Sequence, residues 1–212
     1  MRMRRKKHRE ERLENCSDII IPDITKYKDD IGAIFSGSEK PLHIEIGCGK
    51  GKFITETAKR HPEINFIAFE KNLDVAVLAV EKAKKEEISN VRFVPGNADI
   101  LREMCSVSKC ERIYINFCDP WSKTRYAMRR LTHANYLSVW KNLLCENGEL
   151  HFKTDNRDLF EFSLNSFLDF GLRLKHISLN LHASGWEDNI MTEYETMFQE
   201  QGKPIYRCEV TF

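Results

Sequence analysis

The sequence lacks any long hydrophobic run and any cysteine pair of the C-x-x-C type. Its longest apolar stretch, residues 75–80, is far shorter than the roughly 18 residues that a bilayer span requires. No apolar segment follows the basic first residues, so an export signal is not expected. Seven cysteines is an odd number, and a chain of 212 residues does not need a disulfide framework. These absences predict a cytoplasmic protein without a structural zinc site or a membrane anchor.

Negative and positive charges are unevenly distributed, although the formal net charge is only +1. Residues 1–12 carry seven Lys or Arg and two Glu, and residues 120–141 carry five Lys or Arg and no acid. The two segments together hold +10, and the rest of the chain holds −9. A polyanion such as a nucleic acid could place its phosphates on both segments. The alternative is a solvated tail and an ordinary basic helix end.

The chain divides into an irregular beginning and a regular remainder. Residues 1–40 predict a basic arm and irregular lead-in that contributes no core element, and residues 41–212 predict a single domain. In that domain, short apolar runs alternate with stretches of helical spacing, which predicts a parallel sheet with helices on both faces. After Gly171 the pattern indicates two final strands, which would complete a seven-stranded sheet with an antiparallel edge. The five earlier runs are residues 42–46, 65–69, 91–94, 112–117 and 149–152.

Two helices have recognisable ends. The first is predicted over residues 72–86 with Asn72 as its N-cap, and the second over residues 132–145 with a stop at Asn147 and Gly148. Apolar spacing predicts the faces that these helices bury. The predicted faces are Val75, Leu78, Ala79 and Lys82 in the first helix, and Tyr136, Val139, Trp140 and Leu143 in the second.

Three glycines follow the first strand in Ile-Glu-Ile-Gly-Cys-Gly-Lys-Gly, residues 44–51. Glycines at a strand-to-helix turn let the backbone approach a ligand closely, which predicts a nucleotide-type pocket. The G-x-G-x-G spacing is one residue short of the dinucleotide fingerprint and lacks the P-loop ending. Glu45 would suit a cation, and S-adenosylmethionine carries a sulfonium and an ammonium. The alternative is a glycine-rich turn that binds nothing.

Polar residues after the next two strands fit the same ligand. Glu70 ends the second strand, where a carboxylate in doubly wound folds accepts hydrogen bonds from a ribose diol. Alone, Glu70 would be interpreted as an ordinary surface residue at the start of a helix. Asn97 follows the third strand and would lie beside the adenine. Asp99 could equally be the N-cap of the helix that follows.

The most distinctive motif is Asn-Phe-Cys-Asp-Pro-Trp-Ser-Lys-Thr-Arg, residues 116–125, directly after the fourth strand. Ligands of open α/β sheets bind outside the carboxyl ends of strands, so we expect Asp119 in the same crevice as the glycine turn. Trp121 offers a face for stacking a base, although a core position is the commoner fate of a tryptophan. The cations that follow are Lys123, Arg125, Arg129 and Arg130. Such an arrangement suits a nucleobase held inside and phosphates held outside.

Four motifs in one order resemble the signatures of the bacterial tRNA (guanine-N7)-methyltransferase family. They occupy residues 45–51, residues 116–125 with Arg-Arg-Leu-Thr at 129–132, residues 151–156 and residues 189–195. The resemblance covers nearly the whole chain. It implies a class I, Rossmann-like methyltransferase fold and S-adenosylmethionine as donor, with S-adenosylhomocysteine as product and no metal. It also implies tRNA as partner, with the variable-loop guanosine 46 methylated at N7.

The resemblance also implies roles for individual residues. Those expected to bind the donor are Glu45, Gly47, Gly49, Glu70, Asn97 and Asp119. Asp119 is also expected to be the catalytic residue. Those expected to bind the substrate are Lys123, Arg125, Arg129, Arg130, Asp155, Thr192, Glu193, Tyr194 and Glu195. The departures from the family pattern are Ser122 where a second proline is usual, Tyr126 where a histidine is usual, and Asn97 where an aspartate is frequent.

Guanine N7 has an in-plane lone pair, so its methylation needs alignment and electrostatic stabilisation but no strong general base. Asp119 would accept hydrogen bonds from the guanine edge as that edge becomes cationic. Asp155 and Glu195 are further candidates for this role, and each could instead be a helix N-cap or a surface acid.

Three other function classes share part of the pattern. A nicotinamide-dependent oxidoreductase would share the glycine turn and Glu70, but it requires a longer glycine spacing. A methyltransferase for proteins or small molecules would leave the basic segments unexplained. A non-catalytic RNA-binding protein would bind S-adenosylmethionine weakly or not at all. Whether the protein is a monomer or a homodimer stays open.

Overall fold

The computed structural model describes residues 7–36, 38–104 and 109–212. It divides into two compact units, Met1–Lys109 and Cys110–Phe212, called the first and second unit below. Among the described residues, no helix combines the length and the apolar character needed to cross a membrane.

The described residues of the first unit form three parallel strands and three α-helices. The strands are β1 (Leu42–Ile46), β2 (Asn65–Glu70) and β3 (Val91–Pro95), and the helices are α1 (Arg9–Glu14), α2 (Lys52–Arg60) and α3 (Leu73–Lys85). Strand β2 pairs in parallel with both β1 and β3. All residues of β1 are buried, including the polar His43 and Glu45, as expected of a central strand in a sheet that is covered on both faces.

The second unit contributes the other four strands. They are β4 (Cys110–Asn116), β5 (Leu144–Thr154), β6 (Arg173–Ser178) and β7 (Tyr206–Thr211), and the helices are α4 (Ala134–Leu143), α5 (Arg157–Asp169) and α6 (Glu193–Glu200). Strands β4 and β5 are parallel, whereas β7 is antiparallel to β5 and β6. In the part of the chain that the structure describes, the strands form one seven-stranded mixed sheet, so the predicted fold class and antiparallel edge are confirmed.

Helix α3 has the predicted cap but a different buried face. Asn72 Oδ1 accepts the Asp74 N–H at 3.0 Å, as predicted for the N-cap. Leu78 is only half-buried, and it shares a helix face with Asp74 and Glu81, the two acids that bind α1. Helix α1 therefore covers a second side of α3. The residues that α3 buries are Ala76, Val77, Ala79, Val80 and Ala83.

Residues 1–40 contribute more to the core than the sequence predicts. Ile24 and Ile31 are 3% and 1% exposed. The Ile21 N–H donates to the Phe93 carbonyl of β3 at 2.8 Å, which fixes this stretch to the edge of the sheet. The expectation that residues 1–40 hold no core element is therefore wrong, because isolated isoleucines among short turns have no helical or strand period. The domain boundary at residue 41 stays a prediction.

Helix α1 is bound to α3 by ion pairs. Arg12 donates two hydrogen bonds to the Glu81 carboxylate, both 2.6 Å long. Arg9 Nη1 lies 3.5 Å from Asp74 Oδ1. Two cations of the first basic segment are thus partly neutralised within the protein. Four others lie outside the described residues, namely Arg2, Arg4, Arg5 and Lys6.

Helix α4 buries the predicted face but ends earlier than predicted. Its buried face includes Tyr136 and Trp140, whereas its last residue is Leu143 and β5 begins at the next position. Asn147 has φ +59° and lies where the pairing of β5 with β4 changes register. The Asn147 and Gly148 pair is therefore a bulge inside β5, because left-handed residues interrupt a strand as readily as they end a helix.

Gly51 provides a stability test of the turn between β1 and α2. It has φ +83°, and a Cβ added there would lie 2.8 Å from Ala79 Cβ in α3. We expect Gly51→Ala to lower the free energy of unfolding by about 2 to 4 kcal/mol, from backbone strain and overpacking combined. Urea denaturation measures this.

Gly185→Ala is the matched control, because Gly185 has φ +70° and no described atom lies within 4 Å of its added Cβ. It should lose only the strain of about 1 to 2 kcal/mol. Equal losses in the two variants would mean that close packing of α2 and α3 does not constrain residue 51.

Candidate active site

The glycine turn after β1 is fixed on one side and open on the other. The Gly47 and Cys48 N–H groups both donate to the Phe69 carbonyl of β2, at 2.8 and 2.9 Å. Gly47 and Gly49 have φ +82° and +59°, and no described atom lies within 4 Å of a Cβ added at either. Open space above left-handed glycines is what a closely approaching ligand needs.

Glu70 binds this turn directly. Its Oε2 accepts the Gly49 N–H at 3.0 Å, and its Oε1 accepts the Asn72 N–H at 2.8 Å. Each oxygen of an ionised carboxylate has two acceptor positions, so an oxygen that accepts a backbone N–H can also accept a hydroxyl. The half-buried Glu70 and the open glycines therefore fit the adenosyl end of a donor such as S-adenosylmethionine.

The other two donor-binding candidates of the first unit are placed differently. Glu45 lies within β1 and is 1% exposed. Asn97 is exposed, and its amide accepts the Asp99 N–H at 3.2 Å and donates to Asp99 Oδ2 at 2.6 Å. The N-cap after β3 is therefore Asn97 and not Asp99. Donor contacts by Glu45 and Asn97 stay predictions.

In the second unit, Asp119 is exposed on a turn between two left-handed residues. Phe117 has φ +53° and Trp121 has φ +43°. This conformation costs an L-residue roughly 1 to 2 kcal/mol, so the turn persists only where surrounding groups hold it. One such group is the Lys153 carbonyl of β5, which accepts the Phe117 N–H at 2.9 Å.

Two predicted RNA-binding arginines stack on aromatic rings after this turn. The Arg129 guanidinium carbon lies 4.9 Å from the ring centroids of both Trp121 and Tyr126, and that of Arg125 lies 4.8 Å from Tyr126. Trp121 is half-buried, so it is not the core residue that tryptophan usually becomes. Stacking orders both exposed guanidinium groups and does not consume their N–H donors, so RNA contact by Arg125 and Arg129 stays a prediction.

Lys123 and Asp155 lie at the starts of helical segments. Lys123 is exposed and precedes the 3-10 helix Thr124–Arg129. Asp155 is half-buried at the end of β5, and Asn156 Oδ1 accepts the Leu159 N–H at 2.8 Å. Asn156 is thus the N-cap of α5, so the alternative that Asp155 is the cap is wrong.

A buried ion pair joins β5 to α6. Lys153 Nζ lies 2.9 Å from Glu195 Oε2, and the two side chains are 7% and 0% exposed. Lys153 also donates to Asn189 Oδ1 at 3.0 Å and to the Ile190 carbonyl at 2.9 Å. The ammonium has three N–H donors and binds three acceptors, so its burial leaves no donor without a hydrogen bond.

The segment predicted to bind the substrate, residues 192–195, has two buried and two more accessible side chains. Thr192 caps α6 by accepting the Glu195 N–H at 2.9 Å. Substrate contact by Thr192 and Glu195 is at odds with their burial. Tyr194 is 57% exposed and stacks on Phe117, with ring centroids 6.5 Å apart. This contact brings α6 beside the Asp119 turn.

Sequence reasoning missed Lys153 and Phe117. A signal for Lys153 was present, because a lysine inside a buried strand requires an acceptor. The sequence did not reveal that Glu195 is this acceptor. Phe117 gave no signal, since its left-handed conformation results from the turn around it.

One described cluster brings three metal-ligating side chains within 4.8 Å of one another, namely Glu149, His151 and Glu209. A hydrogen bond from His151 and the charge of Arg112 lower the pKa of Glu149 to about 2. Arg207 donates to Glu209. Cationic side chains already balance both carboxylates, so we assign no metal to this cluster.

Comparison with known proteins first defines the class. Residues 39–208 match the model of a family described as "Putative methyltransferase". The fold resembles precorrin-6y C5,15-methyltransferase from Geobacter metallireducens, with a TM-score of 0.55 and 15% identity over 99% of this chain and 94% of that one. At this identity the likeness shows the fold alone, which is that of a class I methyltransferase.

Sequence relatives then define the family. The tRNA (guanine-N7)-methyltransferase of Macrococcus caseolyticus is 47% identical over 212 residues, which cover 100% of this chain and 100% of the relative. That of Bacillus subtilis is 45% identical over 210 residues, which cover 99% of this chain and 98% of the relative. The chain therefore belongs to the tRNA (guanine-N7)-methyltransferase family, as its four motifs predict.

The Lys153 and Glu195 pair can be tested by a double-mutant cycle. Lys153→Met leaves the Glu195 carboxylate buried without its ammonium, and Glu195→Leu leaves the ammonium without its carboxylate. We expect each single variant to lose about 3 to 5 kcal/mol of unfolding free energy. The double variant should recover most of that loss, since an apolar pair replaces an ion pair at little net cost. Additive losses in urea denaturation would contradict a direct pairing.

Proposed function

We propose that this protein transfers a methyl group from S-adenosylmethionine to N7 of guanosine 46 in the variable loop of tRNA. The observation that carries the proposal is 45–47% identity over essentially the whole chain to proteins named for guanine-N7 methylation of tRNA. The position of the guanosine and the identity of the donor come from the four motifs. The cytoplasm is the proposed location, because an RNA-modifying enzyme must meet its substrate there.

The first unit supplies the donor-binding side of the proposal. When bound, S-adenosylmethionine supplies an electrophilic methyl group on a positively charged sulfur. Gly47 and Gly49 allow close approach of the ligand, and Glu70 accepts hydrogen bonds from the ribose. Glu45 and Asn97 complete the part of the proposed donor set that lies in the first unit, and Asp119 is its member in the second unit.

The second unit supplies the acceptor side. Asp119 accepts hydrogen bonds from the guanine edge, and these strengthen as the ring becomes cationic. No side chain has to remove a proton from N7 before the attack. Tyr194 is exposed beside the Asp119 turn and offers a ring face to a flipped base. Arg125 and Arg129, ordered by stacking, bind phosphates of the variable loop.

Incubation of bulk tRNA with methyl-labelled S-adenosylmethionine tests the proposal. We expect the label in 7-methylguanosine after nucleoside analysis, and loss of labelling when guanosine 46 is replaced in a single tRNA transcript. Label in another nucleoside would overturn the reaction, and label that persists after the replacement would overturn the position. Calorimetric titration of the donor separates an enzyme from an RNA-binding protein that lacks a working donor site.

Replacement of Asp119 tests its catalytic role. We expect Asp119→Ala to lower turnover by at least about a hundredfold, the scale of losing one preorganised electrostatic partner. Asp119→Asn should retain part of the activity, because its carbonyl oxygen still accepts a hydrogen bond. Turnover is measured at saturating donor, because Asp119 is also an expected donor contact, and the unfolding free energy of the same preparations controls for misfolding. Near-normal turnover in Asp119→Ala would transfer the role to Asp155.

Replacement of Glu70 tests the donor site separately. We expect Glu70→Ala to weaken donor binding by about 1 to 3 kcal/mol, because the ribose hydroxyls lose a charged acceptor. Glu70→Gln retains one acceptor oxygen and should lose less. Affinity for tRNA should not change in either variant. If both affinities fall together with the unfolding free energy, the role of Glu70 is to hold Gly49 and Asn72 and not the ligand.

A further inference from the structure

Arg130 has different contacts from its neighbour Arg129. Its Nε donates to the Pro120 carbonyl and its Nη2 to the Trp121 carbonyl, both at 3.1 Å. The face of its guanidinium lies over the Phe162 ring of α5, with 4.2 Å between the guanidinium carbon and the ring centroid. Arg130 is half-buried, whereas Arg129 is exposed.

These contacts use the features that distinguish arginine from a point charge. The two N–H groups of the fork bind two consecutive carbonyls, and the planar face packs on an aromatic ring. A side chain held on both its edge and its face has little freedom to reach a phosphate. Trp121 has a left-handed backbone conformation, which a non-glycine residue keeps only where other groups hold it. Arg130, which binds the Trp121 carbonyl, is one such group.

We propose that Arg130 is a positioning residue that fixes the Pro120 and Trp121 turn, and thereby the Asp119 carboxylate, instead of a contact to RNA phosphate. The inference rests on the proposed function for its effect on methyl transfer. The two adjacent arginines then have separate roles. Arg129 contributes affinity for tRNA, and Arg130 contributes the geometry of the catalytic turn through its bonds to the backbone.

Matched substitutions at the two positions separate charge from geometry. Arg→Gln removes the charge at either position, and Arg→Lys keeps the charge but loses the fork and the planar face. For each variant, three quantities are measured with the full-length protein: turnover at saturating tRNA and donor, KM for tRNA, and the dependence of tRNA affinity on salt. Unfolding in urea reports whether each variant folds.

At position 130, we expect both Gln and Lys to lower turnover by roughly tenfold or more, the scale on which small misplacements act. KM for tRNA and the salt slope should match those of the unchanged protein. At position 129, Gln should raise KM and lower the salt slope by about 0.7 to 0.9, the contribution of one phosphate contact, and Lys should restore the slope.

A salt slope lowered by Arg130→Gln, or full activity in Arg130→Lys, would overturn the proposal, because either result is the behaviour of a phosphate contact. Phe162→Leu keeps Arg130 and its carbonyl acceptors but removes the ring that orders the guanidinium. Phe162→Leu should lower turnover by a smaller factor than the substitutions of Arg130, again without changing the salt slope. An unchanged turnover in Phe162→Leu would contradict the part assigned to stacking.

Amide hydrogen exchange over residues 117–123 tests the positioning role without any activity. Arg130→Gln should speed exchange in this segment, and Arg129→Gln should not. If the unchanged protein transfers no methyl group to tRNA, the proposed function fails, and the exchange result alone decides whether Arg130 fixes the turn. Equal exchange in the two variants would overturn that role whatever the activity.

Discussion

The second unit depends on one buried residue, Lys153. Its carbonyl accepts the N–H of Phe117 at the start of the Asp119 turn, and its ammonium binds Glu195 of α6 and Asn189 ahead of it. One position on β5 thus fixes two chain segments that carry predicted site residues. A buried cation destabilises the protein unless it is fully paired. The bonds that offset the burial of Lys153 therefore also fix the position of α6. Stability and site geometry are therefore not separable at this residue.

The Asp119 turn shows the cost of such an arrangement. Left-handed residues at both ends direct an exposed carboxylate outward, and no helix or strand period sustains that shape. The turn is held instead from outside, by Lys153 at one end and by Arg130 at the other. Strain of this kind is typical of sites whose groups must be aligned before the substrate arrives. A reaction that needs no general base depends especially on alignment.

Regular elements were predictable from the sequence, and their surroundings were not. Strand β1 occupies the predicted residues, and Asn72 caps α3, because apolar runs and cap side chains act locally. Glu195 is buried against Lys153, a partner that lies far away in the chain, and Arg130 binds backbone carbonyls. Neither kind of partner can be predicted from amino-acid composition or spacing. The four motifs predict which residues form the site, but they do not separate the buried Thr192 and Glu195 from the exposed Tyr194.

Arginine illustrates why charge counts alone mislead. Arg12 pairs with Glu81, Arg129 stacks on Trp121 and Tyr126, and Arg130 binds carbonyls, although all three belong to the basic segments. A guanidinium that is paired with an acid contributes little field at a distance, whereas one stacked on rings keeps its full charge. The electrostatic attraction for a polyanion within the described chain should therefore be concentrated at residues 123–129 rather than at α1. The formal net charge of +1 conceals this asymmetry, because it weighs every arginine equally.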